Sequence, residues 1–365
     1  MIHQKVKNVL LLSHEMSRTG APVALHYMAK QLKEDGIFVT VLSEKNGPMT
    51  QEMQSDGITV IIDDTISGNM EWLKWACNYD LIVVCTVVPY HNIEQLMQTN
   101  MPVIWWIHDA EMSFQLGANA LIPHELTPNI HVFGGGEYCC RVVDKYRPSY
   151  HIENLLYCVP DYSDDVSGFM DYKIDNPQNR FVISSIASID KRKGQDILVE
   201  SIEMLPKKDV EKSLFLFVGK DNDEEIYSRV RGLKEKYPDN VALIEEVSRR
   251  NLADVYRQSG VVVCTSRDDP MPVIMTESLM LGIPILCSDK TGTYSLIEDG
   301  VTGYKYFSEN REELRDKLSY MINNPDTVRQ VGKSGRKVYE EHFTKDAFKD
   351  NLYRIIGKVM NDESV

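Results

Sequence analysis

The sequence predicts an α/β protein made of two parallel-sheet domains, and three observations carry that prediction. Strand-like apolar runs alternate with helix-like segments from one end of the 365 residues to the other, as parallel α/β architecture requires. The alternation lapses once, around 161–179, where Asp161-Tyr162-Ser163-Asp164-Asp165 and then Asn176-Pro177-Gln178-Asn179 read as an interdomain linker region. The chain is also long enough for two cores of ordinary size. The reading is therefore two Rossmann-like units facing across a cleft.

In the first unit the apolar runs fall at 8–13, 37–42, 58–62, 80–88, 102–107, 130–133 and 152–156. Amphipathic segments separate most of them, such as Val23–Leu32 with apolar residues at helical spacing. The second unit opens with Phe181–Ala187, and its strands recur at 214–219, 241–244, 260–264, 283–287 and 303–306. Helical segments at 310–323, 326–341 and 345–360 close the chain.

Composition narrows the class. Hydrophobic content of 43% and charged content of 26% are those of a globular protein, and no apolar run approaches the ~18–20 residues that span a bilayer. Val9-Leu10-Leu11-Leu12 is too short for a signal-peptide core and is followed by His14-Glu15, so it reads as a first strand. Seven cysteines, an odd number without C-x-x-C spacing, suit buried thiols in a reducing cytoplasm; Cys139-Cys140 reads as a helical pair of small apolar residues. The net charge of −14 disfavours nucleic acid as a partner. Residues 1–170 hold ten Lys/Arg against twenty Asp/Glu, and no obvious basic patch for a membrane surface stands out there.

One stretch concentrates the chemistry. After Val261-Val262-Val263-Cys264 comes Ser266-Arg267-Asp268-Asp269-Pro270-Met271-Pro272, then an apolar helical segment from Val273 to Leu281 containing Glu277. Asp269 and Glu277 thus bracket a strand-to-helix turn, at the sheet edge where ligands of open α/β proteins bind. The helix start near Val273 offers free N–H groups to a phosphate. An isolated D-x(7)-E would be an ordinary βα loop with acids at a helix start.

Other turns are read the same way. Ser17-Arg18-Thr19-Gly20-Ala21-Pro22 leads into a helix, with Pro22 at its first position and Gly20 permitting a tight turn; simple capping is the alternative. His108-Asp109 ends the run Val103-Ile104-Trp105-Trp106-Ile107, which points His108 out of the core. Ser188-Ile189-Asp190-Lys191-Arg192-Lys193-Gly194-Gln195 is read as opening a helix, where cations oppose the dipole and call for an anion. Asp221-Asn222-Asp223 reads as helix capping, so no metal ligands are expected. Gly134-Gly135-Gly136 is a tight strand-to-helix turn.

Asp269-x(7)-Glu277, Gly282-Ile283-Pro284-Ile285 and Asp299-Gly300-Val301-Thr302-Gly303 together resemble the signature of the family-four retaining glycosyltransferases of the GT-B fold. That signature is E-x(7)-E, then G-x-P-[VI], then D-G-x-x-G. The resemblance implies a first domain over 1–165 on the acceptor side, a donor domain over 166–344, and a last helix, 345–365, crossing back. It implies a cytoplasmic enzyme, able to work at the inner face of a membrane through peripheral contact. That enzyme would move a sugar from a nucleotide-diphosphate donor to the hydroxyl of a glycan or lipid-linked acceptor, with retention and without metal or other cofactor, in cell-surface polysaccharide assembly.

By the same resemblance, Lys193 with Gly194 matches the family's K-G, so Lys193 neutralises the donor diphosphate. Ser188 stands where the family has arginine, and Arg192 could substitute in charge. His108 positions the donor sugar. Asp269 takes sugar hydroxyls in place of the family's glutamate, and Glu277 holds the ribose. Gly20 and Ala21 lie near the diphosphate. Met271, Pro272 and Val273 form the loop over the donor, where Pro272 removes an N–H that relatives keep. A sugar-nucleotide epimerase on the same fold, and an inactive partner subunit of a glycan-assembly complex, are the alternatives. A nicotinamide dehydrogenase is disfavoured, since no G-x-G-x-x-G follows the first strand.

Overall fold

Runs such as Val9–Leu12 and Val261–Val263 are apolar at every position because both faces of a parallel strand are covered. They form buried strands in the computed structural model of the chain, which describes residues 6–163, 172–245, 247 and 249–360. The chain divides into two compact units, Met1–Val159 with His342–Val365, and Pro160–Glu341.

The first unit holds β1 (Asn8–Ser13), β2 (Phe38–Ser43), β3 (Thr59–Ile62), β4 (Leu81–Cys85), β5 (Val103–Ile107), β6 (Ile130–Gly134) and β7 (Glu153–Asn154). They pair in the order β3-β2-β1-β4-β5-β6-β7, and every pairing is parallel. Chain order reverses between β1 and β4, so the loops leaving these two strands flank a switch point, where such sheets bind ligands. The final helix, Lys345–Val359, belongs to this unit: Phe348 stacks on Trp106 at 6.3 Å, and the Tyr353 hydroxyl donates to Asp35 at 2.8 Å. Burial of Phe348, Leu352, Ile355, Ile356 and Val359 on one helical face supplies the apolar driving force.

The second unit repeats the plan with β8 (Phe181–Ile186), β9 (Ser213–Val218), β10 (Val241–Ile244), β11 (Val261–Cys264), β12 (Ile285–Ser288) and β13 (Tyr304–Tyr306), in the order β10-β9-β8-β11-β12-β13. Its pairings are parallel too, and its switch point lies between β8 and β11.

Three details depart from the sequence reading. The units divide at Val159 and Glu341 rather than at 165 and 344, and Asp161 pairs with Arg336 inside the second unit. Residues 164–171 of the expected linker lie outside the described residues. Pro22 is the third residue of its helix, Gly20–Glu34, not the first; a missing N–H is harmless there because first-turn donors have no helical acceptor. The helix expected to open at Ser188 begins at Gln195, so Lys191, Arg192 and Lys193 sit in the turn before it.

Among the described residues no helix is long and apolar enough to cross a membrane. Five of the seven cysteines are buried, while Cys77 is exposed and Cys140 half-buried. Cys139 sits inside the helix Glu137–Tyr146 and donates from Sγ to the Ile107 carbonyl at 3.2 Å.

Candidate active site

At the switch point of the second unit, the loops leaving β8 and β11 are tied together residue by residue. Asp190 closes the first loop: its Oδ1 accepts the Lys193 N–H at 2.9 Å, and its Oδ2 accepts the Ser188 hydroxyl at 2.7 Å. Ser188, at the family's arginine position, is therefore part of the turn's own scaffold. Across the gap the Arg267 N–H donates to the Arg192 carbonyl at 2.8 Å, and the Thr265 hydroxyl to the Lys193 carbonyl at 3.0 Å. Arg192 Nη1 donates to the Asp268 carbonyl at 3.1 Å.

Gly194 shows why the Lys-Gly pair takes this form. Its φ of +69° is left-handed, and a Cβ there would stand 2.3 Å from the Thr265 carbonyl oxygen. Only glycine lets the two loops approach so closely.

The approach brings together two residues that the sequence placed in separate roles. Lys193 Nζ lies 2.5 Å from Asp269 Oδ2, and both side chains are largely buried. The cation expected to await an anion is already paired. The loop after β12 joins them from the other side: the Asp269 N–H donates to the Lys290 carbonyl at 3.0 Å, and the Gly292 N–H to the Asp269 carbonyl at 3.1 Å. Met271 is buried beneath this loop and accepts the Thr293 hydroxyl at 3.6 Å through sulfur.

Pro272 forms the N-cap of the helix Val273–Met280, with extended backbone and no side-chain cap. The first-turn N–H groups therefore have no side-chain acceptor from the cap residue. Glu277, on this helix, is 4% exposed and accepts the Tyr256 hydroxyl at 2.7 Å. No sequence motif points to Tyr256, which sits in the helix Arg249–Gln258 entering β11.

No sequence motif marks Arg267 either. Its guanidinium grips Asp196 bidentately, at 2.8 and 2.7 Å, reaches Glu309 at 2.5 Å and donates to the Lys191 carbonyl at 2.7 Å. Burial opposes ionisation of Asp196, but the Arg267 bonds outweigh it and hold its pKa below the ordinary value. Its sequence signal is an arginine three residues after the end of a buried strand. Asp223 caps its helix, accepting the N–H groups of Glu225 and Ile226 at 3.1 and 3.4 Å, as read from the sequence.

The first unit carries the remaining residues at its own carboxyl edge. Gly20 opens the first helix without a left-handed φ, and a Cβ on it would meet nothing within 4 Å. The turn does not need glycine, contrary to the expectation; what Gly20 leaves is room. The carbonyl of Ala21 faces the Cys85 thiol at 3.8 Å. His108 follows β5 edge-on to Trp106 at 4.2 Å, its Nε2 buried without a hydrogen-bond partner. Burial lowers its pKa to about 3, so the ring is neutral. Gly135 makes space for it, since a Cβ there would lie 2.4 Å from His108 Nδ1.

Beside His108 lie residues with no motif to announce them. Thr86, just after β4, has φ +71°, an outlier for a β-branched residue. The Trp105 indole donates to its carbonyl at 2.6 Å, and its own N–H donates to the Trp106 carbonyl at 2.9 Å. Its hydroxyl meets His14 Nδ1 at 3.3 Å. Burial lowers the His14 pKa, against the raising effect of Glu15.

The chain is similar to known proteins in sequence and in fold. A family model described as glycosyl transferases group 1 matches residues 169–338, and one described as glycosyl-transferase family 4 matches residues 5–122. Spore coat protein SA of Bacillus subtilis is 23% identical over 184 residues, which is 48% of each chain. The capsular polysaccharide biosynthesis glycosyltransferase CapM of Staphylococcus aureus is 24% identical over 48% of this chain and 45% of its own. The matches span about half the length of these curated relatives. Among solved structures, Anabaena HepE in complex with UDP and glucose superposes with a TM-score of 0.76 at 15% identity, covering 96% of this chain and 100% of that one.

Proposed function

This chain belongs to the family-four glycosyltransferases of the GT-B fold, and from that premise we propose that it transfers a sugar from a nucleoside-diphosphate donor to an acceptor hydroxyl, with retention and without a metal. The observation that supports this best is the Lys193–Asp269 contact at the second unit's switch point, beside Arg192 and the start of the Val273–Met280 helix. The difficult step is departure of the nucleoside diphosphate while positive charge grows at the anomeric carbon. Fixed cations and helix N–H groups stabilise that leaving group electrostatically. Lys193 and Arg192 supply the charge; Asp269 keeps Lys193 in place before the donor arrives and then takes a sugar hydroxyl. Glu277 grips the ribose, and His108 keeps a neutral ring at the first unit's own edge.

Retention follows if the acceptor attacks from the face that the diphosphate leaves, with the phosphate oxygen taking the acceptor's proton. HepE, with its bound UDP and glucose, supports a sugar nucleotide as donor, and CapM, a glycosyltransferase of capsular polysaccharide biosynthesis, supports a glycan as acceptor.

The test is to mix the protein with a panel of UDP-, GDP- and ADP-sugars and to follow thermal stabilisation and nucleoside diphosphate release, with and without excess EDTA. One donor should stabilise the protein, and its turnover should rise with a glycan acceptor and survive chelation. Stabilisation without release would instead support a non-catalytic partner subunit. Activity abolished by EDTA and restored by manganese would end the metal-free mechanism.

A further inference from the structure

We propose that Tyr256 is a positioning residue for nucleotide recognition: its hydroxyl fixes the Glu277 carboxylate as a preset grip for the two ribose hydroxyls. The inference rests on the reading of Glu277 as the ribose-binding residue.

The two helices that carry this pair flank one strand. The helix Arg249–Gln258 enters β11, and the helix Val273–Met280 leaves the loop that follows it. The end of the first helix is held firmly. Ser259 donates to the Val255 carbonyl at 2.7 Å and meets the Ser184 hydroxyl of β8 at 2.6 Å, with both serines buried. Tyr256 therefore approaches from an anchored frame. It is fully buried, and a buried phenol needs a polar partner. The partner is Glu277 Oε2 at 2.7 Å, in a bond the charge of the carboxylate strengthens.

Packing alone explains this pair poorly. Apolar side chains of the same volume fill a core at least as well as a buried carboxylate held by a hydroxyl. A site that must meet a diol gains something that packing does not. A carboxylate has about four lone-pair positions; the Tyr256 hydroxyl takes one on Oε2 and so restrains the carboxylate plane. A rotamer fixed in advance need not be immobilised when the nucleotide binds. It also leaves the carboxylate poorly matched to a sugar lacking one hydroxyl, which is how a polar site rejects such analogues.

The experiment is calorimetric titration of the full chain with UDP, GDP and ADP. The nucleotide that binds is then compared with its 2′-deoxy counterpart in wild type, Tyr256→Phe and Glu277→Gln. Wild type should prefer the ribonucleotide by about ten-fold or more. Tyr256→Phe should lose most of that preference, weakening the ribonucleotide by about ten-fold and the deoxynucleotide by no more than about two-fold. A mere packing role would weaken both alike. Tyr256→Met, unbranched and adaptable but also lacking the hydroxyl, replaces a Tyr256→Phe that does not fold.

If wild type discriminates, Glu277→Gln does not, and Tyr256→Phe still does, the inference is overturned while the role of Glu277 stands. If wild type fails to discriminate, or binds none of the three nucleotides, the role of Glu277 fails and the inference fails with it.

Discussion

The two units share one strand order around their switch points, yet their carboxyl edges are furnished in opposite ways. The second unit gathers ions: Lys193 on Asp269, Arg267 on Asp196 and Glu309, Arg192 on a backbone carbonyl. The first unit's edge also carries acids, Glu15 beside His14 and Asp109 accepting the Val87 N–H, but its distinctive groups are neutral or strained: His108 without a partner on Nε2, His14 with its pKa lowered by burial, and Thr86 in a left-handed conformation. Topology supplies the crevice in both cases. What each crevice can bind is decided by the residues that follow the strands. An edge rich in fixed ions suits a diphosphate, whose charge must be met without reorganisation. An edge of neutral donors and acceptors suits hydroxyls. A β-branched residue held in a left-handed conformation costs on the order of 1–3 kcal/mol, and such residues cluster at functional sites.

The largest effect should come from removing the second unit's central cation. Lys193→Ala takes away charge at the leaving group and leaves Asp269 buried beside the vacated place. The expected outcome is a fall in kcat of about 10²–10³-fold, the scale on which single electrostatic donors act, with weaker nucleoside diphosphate binding. Initial rates and calorimetric titration check this. If Lys193→Ala retains transfer within about two-fold of wild type, the ionic edge is not the catalytic one.

How much of this contrast was legible in the sequence follows from the range of each signal. The strands were legible because a parallel strand covered on both faces is apolar at every position, as in Val261-Val262-Val263. Lys193 and Asp269 could each be placed at a strand end, since the loop at the carboxyl edge follows each apolar run. Their contact could not, because 76 residues separate them and they meet only because β8 and β11 are neighbours. The same holds for Tyr256 and Glu277, 21 residues apart on helices flanking one strand. The helix starts at Gln195 rather than Ser188 because the Asp190 side chain, bonding to Lys193, closes a turn of its own first. Thr86 was illegible for another reason: nothing in Cys85-Thr86-Val87-Val88-Pro89 resembles a left-handed turn. Two tryptophans of the neighbouring strand hold it there.

A smaller effect should separate scaffold from chemistry within the ionic edge. Arg267 and Asp196 form a largely buried bidentate pair, so Arg267→Gln leaves Asp196 without its charge partner. Breaking a fully buried pair costs ~3–5 kcal/mol, and partial exposure here reduces that to about 2–3 kcal/mol. Chemical denaturation of wild type and variant measures it. The pH dependence gives a second check. Because the folded-state pKa of Asp196 is depressed, its contribution is fully present above the unfolded value near 4 and is lost as pH falls through the lower folded value. The stability gap between wild type and Arg267→Gln should therefore shrink below about pH 4. A gap constant from pH 7 to pH 3 would mean that the charge of Asp196 is not what Arg267 compensates.

The smallest effect tests the neutrality of the first unit's edge. His108 is buried at Nε2 and titrates only near pH 3 in the folded chain, against about 6.5 when unfolded. Between those values the unfolded chain binds a proton that the folded chain refuses, so stability falls as pH falls from about 6.5 towards 3. His108→Gln keeps a polar group with an acceptor and donors but cannot titrate in this range. At pH 8 the two proteins should differ little from this cause. By pH 5 the variant should have gained on wild type by about 2 kcal/mol, seen as a shallower acid limb in Tm against pH. His14 and His26, whose pKa values burial also lowers, contribute equally to both curves and cancel in the difference. Parallel acid limbs would show that His108 accepts its proton in the folded chain. The first unit would then carry a cation at its edge near neutral pH, and the contrast between an ionic and a neutral edge would disappear.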